Sequence, residues 1–152
     1  MASAAVAELL KTFGAKPELF GAETDVYVLP CGPTFTRPSV TKYDDPYVIF
    51  ASFDYQQGTL DQVVTGKGGW SDLVASLERE QQGTLSYTVL ADEKANMLRT
   101  VEIYESKEYL ENEHLKSEAV KANQQQNGAM RTGDNKVWRL KRVTGYLFKE
   151  RS

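Results

Sequence analysis

The chain holds one cysteine and one histidine in 152 residues, and each scarcity closes off a class of site. Cys31 alone can form neither an internal disulfide nor a cysteine-cluster zinc site, which fits a reducing, cytosolic setting. It stands in a Pro-Cys-Gly-Pro turn and reads as an ordinary loop thiol. One histidine offers too few ligands for a metal centre, so none is expected. Basic excess is lacking as well. A net charge of -3 and a pI near 5.3 leave no positive field for a phosphate backbone, so nucleic acid is not an expected partner. No apolar run reaches the ~20 residues that span a bilayer, and residues 1–13 carry no basic stretch ahead of their apolar part, so no membrane partner is expected either. Proline is missing after position 46. All five prolines, Pro17, Pro30, Pro33, Pro38 and Pro46, crowd into one segment.

What is present divides the chain in two. A hydrophobic fraction of 41% with 26% charged residues suits a globular domain with a real core. Ala5, Val6, Leu9, Leu10 and Phe13 recur at helical spacing until Gly14 and Pro17 stop the pattern. Residues 14–46 then read as an extended arm over a surface, with a short strand conceivable at Thr24–Leu29, because proline removes ladder donors. Residues 1–45 are thus taken as N-terminal helix and arm, and 46–152 as the folded domain.

Within that domain YVIFASFDYQ, from residue 47, is an apolar run suited to a strand buried on both faces. Leu60, Val63 and Val64 start a helical pattern that Trp70, Leu73, Val74 and Leu77 resume, with Gly66, Gly68 and Gly69 predicting an interruption between them. Thr84–Leu90 alternates as a second strand and turns through residues 91–96 into a third, Met97–Tyr104. Ser106 sits where a helix N-cap belongs, and Leu110 and His114 share the inward stripe of the helix that follows. Residues 124–135 form a polar loop before a long last strand, Lys136–Lys149, which Gly145 should bend.

The order β-α-β-β-α-β is the ferredoxin-like arrangement of the α+β class, an antiparallel sheet with helices on one face. Its other face, assigned here to Ile49, Ala51, Phe53, Leu85 or Leu90, Val101, Ile103 and Trp138 or Val143, would leave a large apolar area wet. Two sheets packed face to face remove that exposure, so a homodimeric α+β barrel is expected.

Over residues 46–149 the sequence resembles the antibiotic biosynthesis monooxygenase (ABM) domains of the dimeric α+β barrel group. The resemblance rests on DPYVIFASF, GTLSYTVLAD and EIYESKEYLENEHLKS, the last similar to a Glu-x-aromatic-x-Ser, helix, His-x-x-Ser signature at Glu102, Tyr104, Ser106, His114 and Ser117. The acidic residue that the family carries before the second-strand turn is Gln81 here. Such a resemblance implies oxygenation of quinol, anthrone or polyketide-like aromatics without metal, flavin or other cofactor. A haem-degrading branch of the same group carries a Trp where His114 stands and a ligating His where Gln124 stands, so haem chemistry is not expected.

Triplet oxygen needs an electron from the substrate itself, which phenols and anthrones supply once deprotonated. His114 is the candidate base. Glu102 would orient its ring and Tyr104 would bind the substrate oxygen, while Trp70, Tyr87, Phe50 and Tyr109, with Ser117, would wall an aromatic pocket. Two other readings use the same residues: a non-catalytic barrel that binds a small aromatic or is purely structural, and a non-oxidative cyclase or decarboxylase.

Overall fold

In a computed structural model the chain is described at residues 29–141 and at Glu8, Lys11, Thr12 and Ala15. Glu8, Lys11 and Thr12 are helical. The rest of the expected N-terminal helix, residues 24–28 of the conceivable strand, and the last strand beyond Lys141 with Val143 and Gly145 lie outside the described residues.

Five strands form one antiparallel sheet: β1 Cys31–Thr36, β2 Tyr47–Asp54, β3 Thr84–Asp92, β4 Met97–Tyr104 and β5 Lys136–Leu140, in the order β1-β3-β4-β2-β5. The last four reproduce the ferredoxin-like order. β2 is central, and its uninterrupted apolar run is explained by burial of both faces, with Val48 and Ile49 alike under 6% exposed.

The arm contributes a strand that its prolines hid. β1 carries Pro33 yet pairs with β3, which is tolerated because β1 is an edge strand whose register shifts between Cys31 and Thr34. Immediately after it, the Arg37 guanidinium donates to the carbonyls of Leu77, Glu78 and Gln81, and its Nε donates to the Thr84 carbonyl at 2.9 Å. A cation there offsets the negative end of the helix that closes at Glu80.

That helix begins after the predicted glycine interruption. α1, Leu60–Thr65, stops at Gly66, and α2, Trp70–Glu80, starts after Gly69 and buries Trp70, Leu73, Val74 and Leu77 against the sheet. Asn123 and Asn127 reach the break from α3, Glu118–Asn127, and donate to the carbonyls of Gly68 and Val63. The polar loop expected from residue 124 is therefore still helical at its start.

The helix expected after Ser106 is not continuous. Ser106 caps it as predicted, accepting from the Tyr109 amide, but Leu110–His114 is π-helical and closes with a Leu115 amide to Leu110 carbonyl bond of 3.0 Å. Ser117 then caps α3 by accepting from the Val120 amide. The chain leaves the α register at His114, and local widening of this kind is often found where a side chain must be aimed.

Sheet faces were assigned one residue out of phase in β2. Ile49, Ala51 and Phe53 lie with Glu102, Thr100 and Leu98 beneath the helices, whereas Val48 and Phe50 lie with Ile103 and Val101 on the outer face. Val48 and Phe50 are as apolar as Ile49 and Ala51, so hydropathy in the first half of β2 carries no sign for the face, and pairing fixes it. Leu85, Leu90, Val101, Ile103 and Trp138 do share the outer face, as expected. Val40, in the short 3-10 turn Pro38–Lys42, covers part of it. Trp138 and Leu140 remain 45% and 49% exposed. Among the described residues no helix is long and apolar enough to cross a membrane.

The glycine break should reject a side chain at Gly66 and at Gly69, where a Cβ would meet backbone oxygens, whereas Gly128, outside the break, should accept one. A Cβ at Gly69 would lie 2.6 Å from the Val63 carbonyl oxygen and 2.7 Å from that of Gly66, both backbone atoms. Gly69→Ala is expected to cost on the order of 2 kcal/mol or more in urea unfolding, while Gly128→Ala, in helical geometry with nothing near its Cβ, should be neutral or gain about 0.5 kcal/mol. Equal effects of the two would contradict this packing of the break.

Candidate functional site

Strand alternation places Thr100, Glu102 and Tyr104 on the helix side of β4, with Tyr87 directly across from Glu102 on β3. The consequence is a buried carboxylate surrounded by hydroxyls. Glu102 accepts from Thr100 Oγ1 at 2.6 Å, Tyr104 Oη at 2.6 Å and Tyr87 Oη at 2.9 Å. Burial pushes its carboxyl above the ordinary range, and the three O–H donors oppose that rise. Both phenols are raised well above their usual value, by desolvation first and then by the Glu102 charge, so they stay neutral donors.

His114 lies over this cluster, its ring 4.8 Å from that of Tyr104 and 6.1 Å from that of Tyr87. It is 4% exposed, and desolvation lowers its pKa to about 4. Its Nδ1 is 3.0 Å from Gln81 Oε1, which also accepts from Thr84 Oγ1. With the proton on Nδ1 donated to that oxygen, Nε2 keeps a free lone pair. Among the described residues Nε2 has no protein partner.

Between sheet and helices is a cavity of about 260 Å³. Ile49, Ala51, Phe53, Tyr87 and Glu102 form its floor, and Trp70, Leu73, Leu110, His114 and Val120 its roof. Asn123, Gln124, Arg131, Asn135 and Arg139 ring the mouth with Leu115 and Val137. Trp70 is fixed in place by donating its Nε1–H to Tyr55 Oη at 3.1 Å and packs its ring 5.2 Å from Phe53. A wider depression between α2 and α3, about 600 Å³, is edged by Lys67, Asp72, Ser76 and Gln125 and holds no comparable group.

The structure brings together His114, Glu102, Tyr104, Tyr87 and Trp70, and it separates the others. Phe50 points to the outer face and packs on Trp138 at 5.4 Å, because β2 alternates in the opposite phase to that expected. Tyr109 packs over Gly83 outside the cavity, and the Ser117 hydroxyl is used as a helix cap. Glu102 does not orient the imidazole; its oxygens are taken by Tyr87, Thr100 and Tyr104, and Gln81 holds the ring instead. Sequence reasoning missed Gln81, Thr100 and Arg131. Gln81 was marked only as the departure from an acidic position, and Thr100 by its place two residues before Glu102 on the same strand face.

No protein-family profile and no curated protein matches this chain. Solved structures do. One is a proposed monooxygenase from Lactobacillus acidophilus NCFM, 12% identical with a TM-score of 0.66, matched over 86% of this chain and 58% of that one. Another is a proposed monooxygenase from Fusobacterium nucleatum, 16% identical with a TM-score of 0.62 and the same coverage of 86% and 58%. A third, from Pseudomonas aeruginosa, is 19% identical with a TM-score of 0.53 over 66% of this chain and 97% of its own. The chain thus spans 58% of the length of the first two. Likeness at these identities establishes the ferredoxin-like α+β fold alone.

Burial of a neutral imidazole has a measurable consequence. Unfolded, His114 titrates near 6.5; folded, near 4. Between those values the unfolded chain binds the extra proton, so stability falls as pH drops through 6.5 and this loss levels off below about 4. Glu102 acts oppositely, since a raised folded pKa makes the native state take up its proton first. His114→Leu should therefore remove about 2 kcal/mol from the stability lost between pH 7 and pH 5 in denaturant titrations. An unchanged pH slope would show that the ring is not held neutral.

Proposed function

We propose that the cavity oxygenates an electron-rich hydroxylated aromatic, of the quinol or anthrone kind, using molecular oxygen with no added cofactor. The observation that carries this reading is a single neutral imidazole, its Nδ1 occupied and its Nε2 unpartnered, in the wall of an apolar hollow of about 260 Å³. Nε2 takes a proton from the bound substrate. The low pKa keeps that nitrogen free of solvent protons, and the anion forming beside it stabilises the imidazolium in turn. The substrate anion passes one electron to triplet oxygen, the radical pair joins through a C–O bond, and the peroxide loses water. For an anthrone the CH₂ and O₂ give C=O and H₂O, so all the electrons come from the substrate and no reductant is needed.

Glu102 serves this site indirectly. By holding Tyr87 and Tyr104 it fixes the floor on which the ring rests, and Gln81 fixes the tautomer. The likeness to the two proposed monooxygenases supports the same reading through the fold. We also infer that a second copy of the chain covers the outer sheet face, where Trp138 and Leu140 stand 45% and 49% exposed beside Phe50 and Val101. A reducing, cytosolic setting is inferred with it from the free Cys31.

Purified protein without cofactor should consume oxygen with a panel of quinols and anthrones, and His114→Ala should lose on the order of 10²-fold or more in kcat while keeping its circular dichroism. Gln81→Glu places a carboxylate on Nδ1 and should move the acid limb of kcat/KM upward from about 4 toward neutrality. Equal turnover under nitrogen would replace the oxygenase with a non-oxidative enzyme, and tight aromatic binding without turnover would replace it with a binding protein. Light scattering should give twice 17.0 kDa, and a stable monomer at micromolar concentration would dismiss the second copy.

A further inference from the structure

The mouth of the cavity is positively charged although the chain as a whole is not. Arg131 and Arg139 both border it, and the net charge of the protein is -3. Arg131 lays its guanidinium over the Phe53 ring at 4.8 Å and reaches Asn135 Oδ1 with Nη1 at 3.4 Å, at the long end for a hydrogen bond. Its Nε is buried and has no hydrogen-bond partner. Neither arginine takes part in the ion pairs of the described residues, which join Arg79 to Glu80, Lys107 to Glu111 and Lys121 to Glu118. Among the described residues the sole carboxylate in the cavity wall is Glu102, and its oxygens already receive three hydroxyl donors. Arg131 therefore presents a stacked, partly desolvated fork with an unanswered N–H at the rim of an aromatic hollow.

We infer that the ligand of this cavity is a small planar aromatic acid, whose ring lies in the hollow beside Trp70 and Phe53 and whose carboxylate docks between Arg131 and Arg139. This names the substrate class for the site proposed above and rests on that reading of the cavity as an aromatic site. A guanidinium fork matches the two oxygens of a carboxylate, and a ring already stacked under the guanidinium preorganises it. Arg139 faces Ile49 across the β2–β5 ladder and so stands on the helix side, toward the same opening. Size limits the rest of the molecule. A hollow of about 260 Å³ lies just below the usual range of ligand sites, roughly 300–1,000 Å³, and so favours a compact planar ring system without bulky substituents.

Calorimetry of the full chain with 2-naphthoate and its neutral counterpart 2-naphthamide tests this without turnover. The naphthoate should bind about tenfold or more tighter at low salt, with the margin shrinking as salt rises. Arg131→Met, which keeps an apolar stem over Phe53, should bring the two affinities within about twofold of each other by weakening the naphthoate far more than the amide; Arg139→Met should reduce the margin about threefold. Equal binding by the wild type, binding of neither probe, or a margin that survives in the double variant each overturns the proposal. The two readings fail separately. A lost margin with oxygen uptake intact removes only the acid preference, whereas a kept margin with no oxygen uptake on any quinol or anthrone removes only the oxygenase.

Discussion

A carboxylate buried with three hydroxyl donors is the constraint around which this molecule is arranged. Glu102 sits in the middle of β4, on the face that packs under the helices, where an unpaired charge would be very costly. Thr100, Tyr104 and Tyr87 satisfy it, and each can do so only because strand alternation and the β3–β4 register put all of them on one face. The two phenols are held neutral by burial first and by the same charge second, and their rings make the surface on which His114 rests. A shift of one residue in that register would undo the carboxylate, the tyrosines and the imidazole together.

A second line of contacts runs from the arm to the histidine. Arg37 follows the edge strand and ties the carbonyls at the end of α2 to the start of β3. Gln81 lies in that tied turn, and its side-chain oxygen receives His114 from one side and Thr84 from the other. A segment of low regularity in sequence is thus coupled by three hydrogen-bonding steps to Nδ1 of the ring on which the proposed chemistry depends. The π turn at Leu110–His114 supplies the remaining adjustment by carrying the ring over the sheet while Leu110 stays in the core.

Much of the architecture is legible in local chemistry. The glycine cluster at positions 66, 68 and 69 predicts the break between α1 and α2, and Ser106 predicts the helix start, because both act within a few residues of themselves. β1 escapes such reading, since its six residues include a glycine and a proline and gain their order from pairing with β3. Of the candidate site, His114, Glu102, Tyr104, Tyr87 and Trp70 were reachable from alternation and helical spacing. Phe50 is misplaced because Val48 and Phe50 are as apolar as Ile49 and Ala51, and Gln81 and Arg131 are missed because they reach His114 and the cavity mouth from a turn and from the end of a loop, where no period exists to place them.

The sequence by itself determined the order of β2 to β5 with the helices between them, the inward histidine and the absence of any cysteine cluster, for these follow from residue type and short-range spacing. Only the tertiary structure decided which face of the central strand meets the helices, which group holds the imidazole and what charge rings the opening. Those are matters of register and of approach between segments far apart in the chain, and hydrogen-bond pairing across strands, not hydropathy along one, is what sets them.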